Sequence, residues 1–483
     1  MGTSGHIPTL KVMEEAIKTN QTLGHENLGS LSYTHGFLPP TEPLHALPSS
    51  HRAWDEVAAE FPSLLRTVSV RRILNDLPLL SADTLPDKYL VRASCIISIM
   101  AHLYWYCEPN EPENGLPIVI QKPWEELTRR LDRIAPHLSF IDLNTHNWFL
   151  IDPTLEQPYC VENFGMSIAM TGNEDERRFQ MTPVEMLYLF SPLMQTTIDA
   201  QRAVIEDDVD ALMTCLVFMQ EKINYLSYKT FMKANPNPYS EHYINPVVWG
   251  KTAAPFAAPF TSVPGPSGTA VPSFTMLDIF FGRQTYTTAI GHETHRTRDW
   301  FPKHWRDWLD AVEEISIPDY VHRRQHETLL GVFNETRASY MGENGILHRH
   351  RLKAYGFLDL SFKAGRVKTL GGTTGEYSAR VWDQMADELD ESRLERYGHY
   401  PETEHFATVK RVEALRDDPK YGVHHIVLDV SGTGLRYEAG DRCGILPENT
   451  DDLIEKTLKV LGATGTEQVM LNRAWRKHIL YQT

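Results

Sequence analysis

The chain has 483 residues, 42% hydrophobic and 23% charged, with 47 Lys+Arg against 63 Asp+Glu for a net charge of −16. That profile excludes a disordered tail, a collagen and a coiled-coil rod, the length predicts two or three domains, and the acidic balance argues against nucleic acid as a partner, since binding it needs a basic face. Five scattered cysteines without a CxxC pair, no secretory leader and no run of 18 uncharged apolar residues predict a cytoplasmic protein that makes no membrane contact.

In chain order, residues 1–35 read as a polar, weakly ordered lead-in. Lys88–Tyr106 is too apolar for a surface helix and predicts a buried one. Over 206–233, Val209, Leu212, Met213, Leu216, Met219, Ile223 and Leu226 recur at helical spacing. A Pro/Gly/Ser-rich loop spans 252–272, a length that is usually functional. Helical patterns follow at about 273–290, 303–315 and 319–363, then a glycine cluster at 370–376 and a further helix at about 377–396. Residues 36–396 thus read as one large helical domain, with 397–402 as a linker. From 403 the pattern changes to β-branched alternation with Gly turns, followed by a helix over 451–462. The fold class expected is mainly α, with a partial β-barrel and helix segment at the C-terminal end.

The 21 histidines hold the candidate chemistry. GHETH (291–295) is not the HExxH of a zinc protease, because position 296 is Arg. His322 and His326 lie four apart, but Arg323 and Arg324 beside them would repel a cation, so both groups read better as ordinary histidines. In GILHRHRLKAYGFLDLSF (345–362), Leu347, Tyr355, Leu358 and Phe362 form an apolar face, with His348 and His350 near the start. A neutral imidazole projecting from such a helix into an apolar cavity is what axial ligation of a haem iron needs.

Several fragments occur in a telling order: AHLYWYC, LSFIDLNTHNWFLIDP, VENFGM, PVVWGK, PGPSGTAVPSFTMLDIFFG, FPKHWRDWL, HRHRLKAYGF and LGGTTG. With them, the helical domain resembles the indoleamine 2,3-dioxygenase family. The resemblance implies an all-helical oxygenase holding haem b, with His350 as the proximal iron ligand and His348 as its alternative. It implies that Ser267 and Gly268 form a loop approaching haem and substrate, that Phe140 lines the distal pocket, and that Gly371, Gly372 and Thr373 form a mobile loop closing over the substrate.

Departures from the family pattern accompany the resemblance. Leu370 replaces the threonine before the paired glycines. No arginine stands near Tyr243, where the family's carboxylate-holding arginine falls. The distal serine and phenylalanine fall in Arg177–Met181, which reads RRFQM. Arg177 and Arg178 are the candidate replacements for the missing guanidinium.

HHIVLDVSGTGLRYEAGDRCGILPENTDDLIEKTLKVLG (424–462) resembles the start of the FAD-binding module of sulfite-reductase and cytochrome P450-reductase flavoproteins. The resemblance implies FAD and NADPH for a longer form of the chain and a flavin reductase, in cis or in trans, as electron source. The expected function is insertion of oxygen from O2 into an indole or other small aromatic, amino-acid-like substrate. Two alternatives stand beside it: cleavage of tryptophan to N-formylkynurenine, and a haem-based gas or redox sensor without turnover.

Overall fold

A computed structural model describes residues 7–24, 27–108, 110–283, 289–363, 370, 408–416, 423–431 and 450–461. The chain divides into two compact units, Met1–Leu389 and Asp390–Thr483.

The first unit is helical. Its lead-in is not weakly ordered: Pro8–Leu23 is a helix, started by Pro8 in its first turn and burying Met13 and Ala16. The buried side chain of Gln201 fixes it there. Gln201 Oε1 accepts from the Thr9 hydroxyl at 2.7 Å, and Nε2 donates to the Ala311 carbonyl at 2.7 Å. One amide thus ties the Pro8–Leu23, Pro192–Ile205 and Lys303–Glu314 helices together. Polar composition concealed this helix because its apolar stripe is narrow and its partner lies about 300 residues away.

The Leu90–Tyr106 helix is buried on every side from Leu90 to Tyr104 and centres one hydrophobic cluster. A second cluster joins the Glu174–Phe190, Pro192–Ile205, Val209–Tyr225, Lys303–Glu314 and Glu327–Met341 helices. The segment 138–143 stitches the two together, since Leu138 and Leu143 pack into the first and Phe140 and Ile141 into the second. Strands β1 (Trp148–Leu150) and β2 (Phe164–Met166) pair antiparallel just after it.

The helical pattern over 206–233 is shorter than expected. The α-helix ends at Tyr225, passes into a π-turn over Leu226–Thr230 and closes in a 3-10 turn at Phe231–Lys233. The stretch from 319 to 363 is three helices, Ile317–Arg324, Glu327–Met341 and Ile346–Lys363. Gln325, left-handed at φ 50°, makes the first break, and Gly342 caps the second helix. Pro272–Phe280 and Ala289–Asp299 replace the single helix expected over 273–290. The helix expected over 377–396 lies outside the described residues.

In the second unit, β3 (Thr408–Arg416) and β4 (Val423–Asp429) form an antiparallel pair with two register irregularities, and Asp451–Leu461 is a helix. Among the described residues of both units, no helix is long and apolar enough to cross a membrane.

Candidate functional site

The Ile346–Lys363 helix carries His350 into the interior of the first unit. Phe231 and Phe274 stand around the imidazole, with ring centroids 5.7 and 6.0 Å away. Burial pushes the His350 pKa down to about 4, and the Lys353 ammonium acts in the same direction. The ring is therefore neutral at physiological pH. Neither ring nitrogen has a hydrogen-bond partner among the described residues.

The Ser267–Gly268 turn lies directly against that ring. A Cβ added to Gly268 would sit 2.9 Å from His350 Cε1 and 3.0 Å from Nε2, so any larger residue would force the turn or the ring aside. The turn is held by its own backbone: Ser267 N–H donates to Gly265 O (2.8 Å) and Ala270 N–H to Ser267 O (3.0 Å). It leads into the Pro272–Phe280 helix, which starts on a proline and carries Phe274.

Gly265 and Ala270, which flank the turn, line a cleft together with Phe140, Ser139, His137 and Trp300, among others. Phe140 opens a π-turn over Ile141–Thr145, and the second π-turn of the unit leads directly to Phe231. Such turns recur at functional sites because they redirect side chains.

Asp142 anchors the Phe140 turn. Its buried carboxylate accepts from Arg133 (2.9 and 3.0 Å), Ser94 Oγ (2.9 Å), Ser139 N (2.9 Å) and Ser139 Oγ (2.6 Å). Burial alone would raise its pKa; the Arg133 charge and these bonds prevail and hold it down at about 2. Near the cleft, His137 is edge-on to Trp300 (5.0 Å), and burial, helped by the Arg133 cation, lowers its pKa to about 4.

The fold thus brings Gly268, and with it the Ser267 turn, against His350, while Phe140 shares a cleft with Gly265 and Ala270 on either side of that turn. It separates His348: the ring that Gly268 lies against is that of His350. Gly371, Gly372 and Thr373 lie outside the described residues. Leu370 just before them is described, and its carbonyl lies so close to Gly265 that a Cβ there would collide with it. Phe231, Phe274, Lys353 and Asp142 escaped sequence reasoning; only the regular spacing of Lys353 from His350 on one helix signalled any of them.

Other candidates have different roles. His326 caps the Glu327–Met341 helix, accepting from Leu329 N at 3.2 Å. Of GHETH, the side chains of residues 291–293 are not described. Among the described residues, no group of three His, Cys, Asp or Glu side chains is arranged to hold a metal ion. The lone imidazole of His350 makes no such group, but its chemistry is of the kind haem iron takes: neutral, without a competing proton partner among the described residues, and beside Gly268.

The residue pattern of the family described as indoleamine 2,3-dioxygenase matches residues 30–340. The chain belongs to that family. Among relatives, indoleamine 2,3-dioxygenase 2 of Mus musculus is 24% identical over 60% of this chain and 74% of its own length. The 6-hydroxytryptophan 2,3-dioxygenase of Fusarium equiseti is 24% identical over 59% and 73%. This family member is accordingly a haem-dependent oxidoreductase of the dioxygenase type. A second pattern, described as an FAD-binding domain, matches residues 400–478. There the chain is 34% identical to the sulfite reductase [NADPH] flavoprotein alpha-component of Baumannia cicadellinicola, over 16% of this chain and 14% of that one. The family implies haem as cofactor, and the FAD-binding match, fused in cis, implies FAD.

Proposed function

We propose that this protein uses haem to cleave the indole ring of a tryptophan-like substrate with O2, its iron kept reduced by electrons from a flavin in the C-terminal segment. The observation that carries the reading is the neutral, unpartnered imidazole of His350 lying against Gly268 in a fold of this family. Haem, once bound, supplies an iron that binds and activates O2.

The chain's own residues do the rest. His350 offers a lone pair at neutral pH because burial opposes its protonation. Gly268 keeps one side of the ring free of any side chain. Ser267 brings a hydroxyl to the turn between the imidazole and the Phe140 cleft. Phe140, buried and held by the Asp142 anchor, offers an aromatic wall to an indole. Ring opening places both oxygen atoms in the product and consumes no net electrons, so flavin electrons serve to restore reduced iron.

The FAD-binding match favours a second reading, monooxygenation. There one oxygen atom enters the substrate, the other leaves as water, and two electrons from NADPH are consumed per turnover. Product mass decides: a gain of two oxygens with ring opening against a gain of one with equal NADPH use. Absorption spectra of the hemin-loaded chain and of His350→Ala test the ligand. Loss or displacement of the Soret band in the variant is expected; an unchanged band would exclude His350. O2 binding without substrate consumption would mark a sensor.

A further inference from the structure

Phe231 owes its place against the His350 imidazole to an interrupted helix. The Val209–Tyr225 helix gives way to the π-turn over Leu226–Thr230, which the Phe231 N–H closes by donating to the Leu226 carbonyl. A π-turn holds one residue more than an α-helical turn. Were it to relax to α-helical winding, Phe231 would swing by about 100° around the helix axis and leave the imidazole. Glu185, buried on the Glu174–Phe190 helix, holds the two residues that bracket Phe231. Its carboxylate accepts from Thr230 Oγ1 at 3.2 Å and from Lys233 Nζ at 2.9 Å, and also from the Val161 N–H at 2.6 Å. From the opposite side, Lys353 Nζ donates to the Phe231 carbonyl at 2.7 Å, a bond that an amine makes whether charged or neutral. Burying a carboxylate is unfavourable unless such partners are in place, and an apolar side chain would serve the packing of that helix without this cost. What the carboxylate adds is a fixed turn.

We propose that Glu185 is a positioning residue for the axial imidazole: by holding Thr230 and Lys233 it keeps the π-turn wound and Phe231 against His350, so that the ring meets a haem iron in one orientation. The inference rests on His350 as the iron's ligand. Groups behind a metal ligand set its orientation and so tune the bond it makes. Phe231 stands tilted by 64° to the imidazole, with centroids 5.7 Å apart, and bounds one side of it. Phe274, on the separate Pro272–Phe280 helix, bounds the ring independently of Glu185. Loss of the Glu185 clamp therefore frees the ring on the Phe231 side while leaving the Phe274 side in place.

The test uses the full-length, hemin-loaded chain reduced with dithionite, with the iron–imidazole stretching band read by resonance Raman spectroscopy. Glu185→Leu should shift or broaden that band, and Phe231→Leu should do the same. The double variant should add nothing beyond either single change, because both act through one ring. His102→Ala, a loss of stability elsewhere in the core, should leave the band where the parent has it. An unchanged band in Glu185→Leu or Phe231→Leu, an additive shift in the double variant, or an equal shift in His102→Ala overturns the proposal. If Glu185→Leu takes up no hemin, Thr230→Val and Lys233→Met, which each remove one bond of the clamp, take its place under the same criteria; if these fail to load as well, the clamp acts on assembly and the orienting role is overturned. Failure of the underlying reading looks different: His350→Ala would then keep the parent spectrum whatever the Glu185 variants do.

Discussion

Two histidines of the helical unit invite comparison. His102, in the Leu90–Tyr106 helix, and His350, in the Ile346–Lys363 helix, are both held neutral by burial, at about 3 and about 4. His102 has what a core histidine needs. Its Nδ1–H donates to the Phe256 carbonyl at 2.9 Å, and Phe260 and Trp124 pack around the ring. His350 has aromatic neighbours too, but no hydrogen-bond partner among the described residues, and a glycine packed where any Cβ would press on its ring. Neutrality therefore does not mark a ligand; neutrality without a partner, against a turn with no room for a side chain, does.

Exchanging the losses tests that rule most severely. His350→Ala should abolish the parent Soret spectrum while leaving the melting temperature of the hemin-free chain nearly unchanged. His102→Ala should do the opposite: a stability loss of about 2–4 kcal/mol in chemical denaturation, from the cavity and the orphaned Phe256 carbonyl, with the hemin spectrum retained. If both variants lose haem equally, the contrast between the two sites is void.

A second way to sharpen the contrast is the anchor of the Phe140 turn. Asp142→Ala leaves the Arg133 guanidinium buried without its carboxylate, and should cost about 3–5 kcal/mol by denaturant unfolding. Because Asp142 also bonds Ser94 and Ser139, the loss should exceed that of either serine variant. A loss below about 1 kcal/mol would mean that the 138–143 segment is held by packing alone.

These sites differ in how far they were legible in sequence. The Leu90–Tyr106 helix announced itself by unbroken apolarity, and the order of fragments from AHLYWYC onward pointed to the family. His350 could not be told from His348 by pattern, since both lie near the start of one helix; only the approach of the Ser267–Gly268 turn, about 80 residues earlier, separates them. The Pro8–Leu23 helix was invisible because Gln201 and the Lys303–Glu314 helix hold it. The π-turns that aim Phe140 and Phe231 leave no periodic trace, since each adds a residue to an otherwise helical spacing.

Acid should act on both histidines in one direction. Each has a folded pKa below the ordinary 6.5, so the unfolded chain takes up the proton first. Stability is full above pH 6.5 and falls as pH drops from there towards 4 and then 3, each group adding at most about 1.4 kcal/mol per pH unit. Asp142, depressed to about 2, adds a later loss between pH 3.8 and 2. His102→Gln, whose amide N–H can replace the bond to Phe256, should remove about one proton from the slope between pH 6 and 4. An unaltered slope would show that His102 charges without unfolding.

The smallest effect expected belongs to Arg177, and it applies the same rule to a cation. Its place near the missing carboxylate clamp makes it a candidate for holding the substrate carboxylate. Its bonds argue otherwise: Nη1 donates to the Val161 and Phe164 carbonyls, both at 2.7 Å, while Nε and Nη2 grip Glu174 at 2.8 and 2.6 Å. Arg178 likewise reaches Glu174, at 3.3 Å. Like His102, Arg177 is satisfied by the protein, tying β2 to the start of the Glu174–Phe190 helix. Arg177→Ala should therefore lower stability by about 1–2 kcal/mol and change the KM for an amino-acid substrate less than twofold. A tenfold rise in KM with stability unchanged would show that the guanidinium leaves these partners for the substrate, and the rule drawn from the two histidines would not extend to cations.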